Sequence, residues 1–259
     1  AEMRLRIRTA SGLEVEVATA DIVARRRDGE RARRTDPNYS RLMFAPTGRP
    51  LKKGDGYFSS YEVFLPGVSY GLTDHFTLSG GVSTIPGLGL TEQLFYVSPK
   101  VGFEMGERQA YSAGFLYATA GGDHDRESVG LAYGVATFGT PRSSVSLGFG
   151  LAGGLGDNEG LRTPIIMAGG QKTVGANVAL VGESWIVFHD DEGTTPFVGL
   201  GVRFFGERLS ADVGAILFRE VLEEGFPIPW ISVSYHFGPS RPRVAAAPSR
   251  HPMALAVRR

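Results

Sequence analysis

The sequence predicts an all-β protein: a transmembrane, antiparallel up-and-down β-barrel of about twelve strands. Three observations lead there. Apolar and polar residues alternate along most of the chain, and helix signals are nearly missing. Turn clusters alternate between tight and loose from one hairpin to the next. Where the alternation is cleanest, one face carries large apolar side chains and the other carries Gly, Ala and Ser.

The tight turns are "LTDHF" (72–76), "MGERQ" (105–109), "GTPRS" (139–143), "GQKTV" (170–174) and "FGERL" (205–209). The looser ones are "GRPLKKGDG" (48–56), "IPGLGLTE" (85–92), "GGDHDRE" (121–127), "GLGDNEG" (154–160), "HDDEGTT" (189–195) and "REVLEEGFPIP" (219–229). The strands between them fall near 42–47, 57–72, 75–84, 93–104, 109–120, 127–138, 143–153, 161–171, 174–187, 195–205, 208–217 and 228–237. Most are about ten residues, the length that crosses a hydrocarbon layer at a tilt. All tight turns then share one end with both termini, and an even number of strands closes without a free edge. Short helical turns are expected only in 18–34 and 218–225.

The faces set the direction. Val145, Leu147, Phe149 and Leu151 oppose Ser146, Gly148, Gly150 and Ala152. Val129, Leu131, Tyr133 and Val135 oppose Gly130, Ala132, Gly134 and Ala136, and Leu209 to Leu217 oppose Ser210, Asp212, Gly214 and Ile216. A soluble barrel, the alternative fold, puts its large residues inside. Small residues cannot fill twelve strands, so the large faces are expected to meet lipid. The charges placed on the lumen face are Glu62, Lys100, Glu183, Arg203 and Asp212. Such charges tune a channel, hold a plug or brace the wall.

Composition bounds the rest. The 259 residues hold no Cys, so no disulfide framework exists. No apolar run approaches the ~18 residues of a membrane helix. The formal net charge is zero, but residues 1–41 carry ten Arg against seven acids, and residues 238–259 carry five Arg and no acid. The expected organisation is an N-terminal periplasmic segment (1–40) with a short hairpin and an Arg-rich linker, a barrel (41–238) and a basic, flexible C-terminal tail (239–259). The hairpin alternates Leu5, Ile7 and Val15, Val17, and packs on the barrel mouth, enters the lumen or belongs to a longer module. "ARRRDGERARR" (24–34) lacks interleaved aromatics, so no nucleic-acid partner is expected.

The last strand, "IPWISVSYHF" (228–237), alternates Ile231, Val233, Tyr235 and Phe237 with Ser232, Ser234 and His236. It resembles the C-terminal targeting signal of bacterial outer-membrane barrels, although 22 residues follow Phe237. The stretch 41–87, with "APTGRPLKKGDGY" and "GLTD", together with "YVSPKVGF" (96–103), is similar to a family of uncharacterised bacterial outer-membrane-barrel-like proteins. The resemblance spans roughly residues 36–238 and implies fold and location, with no catalytic residues to carry over. It implies the bacterial outer membrane, with outer-membrane lipid and the barrel-assembly machinery as contacts. The turn pattern puts the termini in the periplasm, and their basic charge suggests a periplasmic partner.

Chemical motifs are weak. "GVSYG" (67–71) matches a nucleophile elbow around Ser69 but lacks the strand–turn–helix context. "GFGLAG" (148–153) matches a dinucleotide loop but runs into a turn rather than a helix. No catalytic set, metal or cofactor is predicted, and a membrane-embedded hydrolase ranks last. Asp123, Asp125, Glu127, Asp190, Asp191 and Glu192 make acidic loops, candidates for weak cation binding, without the Gly and bidentate Glu of a calcium loop. A twelve-stranded lumen must hold water, a ligand or the chain itself. The leading expectation is a passive, weakly cation-selective pore for small solutes. The other is a plugged structural or anchoring barrel that binds a partner through its basic termini.

Overall fold

A computed structural model describes residues 4–8, 14–18, 22–26, 35–122, 127–156, 160–189, 193–218, 227–239 and 254–257. The chain forms two compact units, Asp36–Pro239 and a second built from Ala1–Thr35 with Ser240–Arg259. In the second unit, β1 (Arg4–Arg8) pairs with β2 (Glu14–Ala18), with Leu5 opposite Val17 and Ile7 opposite Val15. A third strand, β3, spans Ile22–Arg26, where the sequence suggested a helical turn.

The larger unit is a closed barrel of twelve strands in chain order. They are β4 (Gly56–Tyr61), β5 (Leu65–Gly71), β6 (Phe76–Val82), β7 (Phe95–Glu104), β8 (Gln109–Ala120), β9 (Glu127–Thr140), β10 (Ser143–Gly154), β11 (Thr163–Thr173), β12 (Val178–His189), β13 (Gly193–Phe205), β14 (Leu209–Phe218) and β15 (Ile228–Phe237). Each pairs antiparallel with the next, and β15 closes on β4 from Ser232–Tyr61 to Phe237–Gly56. The last strand, β16 (Ala254–Val257), pairs with β3, so part of the expected C-terminal tail is sheet.

The count of twelve stands, but two of its members change. Residues 42–47 are not in the wall. Residues 57–72 are two strands, β4 and β5, joined by Glu62–Phe64. That turn contains no Gly, Pro or Asn, so no turn signal marks it. It forms with left-handed backbone at Glu62 (φ 49°) and Val63 (φ 65°), a strained conformation for a β-branched residue. The loop 48–56 consequently lies at the tight-turn end, where Lys53 N donates to Asp74 Oδ1 at 3.0 Å.

The outside of the barrel is an apolar belt. Val145, Leu147, Phe149, Leu180, Leu200, Val213, Ile231 and Val233 are all exposed. Near the tight-turn end it finishes in exposed aromatics: Phe58, Tyr70, Phe103, Tyr111, Phe138, Phe204 and Tyr235. An apolar band edged by an aromatic girdle is the surface of a transmembrane barrel. Phe237 joins the girdle, its ring 5.0 Å from that of Phe58. Ser232, Ser234 and His236 face inward and are buried.

One face assignment reverses. In β9, Tyr133 and Val135 are buried inside the barrel, and Phe138 faces out. The neighbours explain it. A Cβ on Gly150 would meet Leu131 Cδ1 at 2.7 Å, and one on Gly148 would meet Met167 Cε at 2.9 Å and Val135 Cγ2 at 3.0 Å. The small inner face of β10 makes room for large inner residues of β9 and β11.

Candidate functional site

The lumen is filled from the tight-turn end by the chain itself. Residues 36–51 enter the barrel and return to start β4. Leu42, Met43, Ala45, Thr47, Pro50 and Leu51 are fully or almost fully buried. Leu42, Met43 and Ala45 share one core with Tyr61, Tyr133, Val135, Ile165, Met167, Val181, Trp185 and Trp230. The segment has no regular secondary structure beyond a bridge between Arg41 and Pro46. Its buried main-chain groups therefore need partners from the wall.

The wall supplies them with charge. Lys100 Nζ donates to the carbonyls of Ser40 (3.0 Å), Arg49 (2.9 Å) and Thr47 (3.3 Å). Glu183 accepts from the amides of Ala45 (2.9 Å) and Phe44 (3.1 Å) and from Trp185 Nε1 (3.3 Å). Arg203 makes a two-pronged contact with Asp212, Nε to Oδ1 at 2.6 Å and Nη2 to Oδ2 at 2.9 Å. The same guanidinium reaches Asp36 Oδ2 at 3.0 Å and the Leu42 carbonyl at 2.6 Å. Asp212 also faces Arg41 Nη1 at 3.4 Å and accepts from Ser232 Oγ at 3.0 Å.

Asp36, Arg203, Asp212 and Arg41 thus form a row of alternating charges, two from the segment and two from the wall. Each of these four charges has an opposite one beside it, which avoids the cost of several kcal/mol for an uncompensated ion. Arg41 is further enclosed by the rings of Tyr61 (5.1 Å) and Tyr57 (5.8 Å). Neutral bonds complete the grip: Asn38 to Ser210 Oγ (2.8 Å), Gly48 N to Thr137 Oγ1 (2.8 Å) and Leu51 N to Thr77 Oγ1 (2.9 Å). At the exit Arg49 pairs with Glu104 at 3.3 Å, and Lys52 pairs with the same carboxylate. Gly48 lies so close to the wall that a Cβ would sit 2.2 Å from the Ala110 carbonyl oxygen.

Beyond the segment's tip a cavity of about 90 Å³ remains, room for a few water molecules. Phe44, Tyr57, Tyr61, Tyr96, Tyr133 and Trp185 line it, with Ser69, Ser79 and Ser98. Phe44 is 42% exposed at the tip, although it stands inside the barrel.

Four of the five charges assigned to the lumen, Lys100, Glu183, Arg203 and Asp212, are therefore inward, buried and gripping residues 36–51. Glu62 is not. It lies exposed in the β4–β5 turn, where its amide donates to Ile231 O and its carboxylate accepts from Ile231 N, both at 2.9 Å. The slip arises because 57–72 is two strands. Among the acidic loop residues, Glu127 opens β9 with an exposed side chain; Asp123, Asp125, Asp190, Asp191 and Glu192 lie outside the described residues. Among the described residues no cluster of metal-binding side chains occurs. Ser69 sits in β5 and donates to Ser79 Oγ at 2.7 Å, with no helix after it. The "GFGLAG" motif lies within β10.

The residues by which the segment is held, Asp36, Asn38, Arg41, Thr47 and Arg49, carry no periodic signal in the sequence. The available signal was length. A strand of six residues with Pro46 at its end is too short to cross a membrane.

No protein-family model and no curated protein sequence matches the chain. Solved structures do. The KdgM porin in complex with disordered oligogalacturonate is 11% identical, with a TM-score of 0.51 over 71% of this chain and 98% of that one. The shared feature is the barrel fold. The CymD monoaromatic hydrocarbon channel (10% identity, TM-score 0.41, 74% and 90% covered) and the Acinetobacter baumannii outer membrane protein Omp33 (9%, 0.35, 71% and 96%) are more distant matches.

The grip can be tested at its tip. Glu183→Gln removes the charge from bonds worth about 1.5–3 kcal/mol and leaves a single acceptor oxygen. The expected result is at least about tenfold faster maleimide labelling of an Ala45→Cys reporter, since ~1.4 kcal/mol is a factor of ten. The chain has no other Cys to react.

Proposed function

We propose that the protein is a bacterial outer-membrane channel for small solutes whose lumen is closed, in the state described, by residues 36–51. The closed barrel, its apolar belt and the fold shared with a porin support the membrane channel. One observation carries the closure: the inward charges of the wall are spent on the main chain and charges of the segment. Passage of a solute requires that segment to move toward the tight-turn end.

In this reading the tight turns and both ends of the barrel unit face the periplasm. The strand β15, through Ile231, Val233, Tyr235 and Phe237, is what the assembly machinery reads. The basic termini meet an acidic periplasmic partner. The acidic loops at the other mouth, from Asp123 to Glu127 and Asp190 to Glu192, bias entry toward cations.

A second reading, a permanently plugged barrel that anchors a partner, is favoured by the extent of the same network. Planar-bilayer recording of the full chain decides between them. Brief openings from a heat-modifiable, folded barrel fit a gated channel. Unbroken silence from that species fits the anchor.

A further inference from the structure

The wall of the barrel is not of even height. Strands β4, β5 and β6 have 6, 7 and 7 residues, whereas the other nine have 10 to 14. The low side starts at the girdle with the rest: Phe58 and Tyr70 lie on it, beside Tyr235 and Phe237 of β15. It ends at Glu62, paired with Ile231. Ile231 lies four positions along the strand from Tyr235, which at a tilt near 40° is a climb of roughly 10 Å. The apolar band of such barrels is about 25 Å tall. The β4–β5 hairpin therefore stops inside the hydrocarbon layer.

The chemistry of its tip agrees. Val63 is 66% exposed and Phe64 47% exposed, on a turn that water-facing loops would make polar. The left-handed backbone at Glu62 and Val63 keeps the hairpin short at a conformational cost. Above the tip, β15 continues through Ile228–Trp230 without a strand partner on this side among the described residues. Residues of β15 with odd numbers point their backbone groups toward β4, as Ile231 does. The next odd residue is Pro229, which has no N–H to leave unpaired in lipid. The Glu62 carboxylate satisfies the amide of Ile231. The edge of the gap thus leaves no N–H unpaired at residues 229 and 231.

The gap has an apolar rim, and buried aromatic side chains pack behind it. Ile228 stands on one side, and Ile85, Leu88 and Leu90 are exposed on the loop that follows β6. Inside, Tyr61 packs 5.9 Å from Trp230 and 5.9 Å from Phe44, and Phe44 lies 6.3 Å from Trp185. Trp230 Nε1 is buried without a hydrogen-bond partner. The cations that border the cavity, Arg41 and Lys100, are already bound to the segment and its carbonyls.

We propose that the gap above the β4–β5 hairpin is a lateral port, through which small uncharged apolar molecules pass between the membrane hydrocarbon and the chamber over Phe44. The proposal rests on the transmembrane placement of the barrel and not on movement of residues 36–51.

The two tryptophans of the chain are both buried within the barrel: Trp185 lines the chamber, and Trp230 packs on Tyr61, which also lines it. The experiment uses full-length protein folded into phosphatidylcholine vesicles, with 1-bromonaphthalene as a lipid-soluble quencher. Insertion is checked by heat-modifiable gel mobility, which separates failure of the membrane reading from failure of the port. The expected result is saturable quenching of Trp230, assigned with a Trp185→Phe variant. Lengthening the hairpin by eight strand-and-turn residues between Tyr61 and Leu65 should weaken that quenching at least tenfold. If this variant does not fold, Val63→Lys with Ile228→Lys puts charge on the rim and should do the same. Absence of saturable quenching in inserted wild-type protein overturns the port, as does quenching unchanged in a folded rim variant.

Discussion

Replacing residues 36–51 with a Gly-Ser linker of equal length is expected to raise the time-averaged single-channel current at least about tenfold. A minor open state of a two-state protein is commonly populated at 10% or less, and removing the closing element makes it the whole population. The barrel itself should persist, because its twelve strands pair only with one another, from β4–β5 round to β15–β4. The variant exposes Lys100, Glu183, Arg203 and Asp212 to lumen water, a set with two charges of each sign. A charge-balanced lumen imposes little preference between ions. Any cation preference that remains in this variant is then assigned to the acidic loops, and neutralising Asp123, Asp125 and Glu127 together with Asp190, Asp191 and Glu192 should remove it. Reversal-potential measurements in a salt gradient check both steps.

Arg203→Met is expected to destabilise the folded barrel by about 3–5 kcal/mol, the usual cost of stripping one partner from a buried ion pair. Arg203 has no exposed surface and serves two carboxylates, Asp36 of the segment and Asp212 of the wall. Asp212 keeps Arg41 and Ser232 as neighbours; Asp36 keeps only the amide of Asn38 among the contacts described above. The larger part of the loss therefore belongs to Asp36. Adding Asp36→Asn to Arg203→Met should recover part of the stability, whereas the two changes would simply sum if the residues were independent. Urea titration followed by gel mobility of the folded band gives both numbers. The single variant should also conduct more often, because it frees the entry leg of the segment.

What was legible in the sequence follows the physics of each feature. The membrane-facing wall could be read because lipid imposes a period of two and a length near ten residues, and β7 to β15 obey both. The inward charges Lys100, Glu183, Arg203 and Asp212 were found from the same alternation. The segment 36–51 could not be read this way. Its structure is set by contacts with residues up to 193 positions away, as between Arg41 and Ser234, and it has no period of its own. The short hairpin escaped for a different reason: a turn built from Glu62, Val63 and Phe64 has no turn residues to announce it. Missing that turn joined two strands into one and put Glu62 on the wrong side. Counting 42–47 as a strand restored the total of twelve. Alternation alone points Tyr133 and Val135 toward lipid, as the large face of β10 does point, while the room they fill inside is made by the glycines of β10.

The most direct test of the gated lumen is to lock the segment in place. A Cβ on Gly199 would lie 3.2 Å from Met43 Sδ, so Met43→Cys with Gly199→Cys puts a thiol on the segment beside one on the wall. The chain has no other Cys, and a short reducible thiol cross-linker can join the pair. Single-channel recording before and after reduction is the measurement. The predicted result is silence while the bridge is intact and openings once it is cut. Current of the same size and frequency in the bridged and reduced protein would contradict the account, since solute would then be passing a lumen that residues 36–51 still occupy.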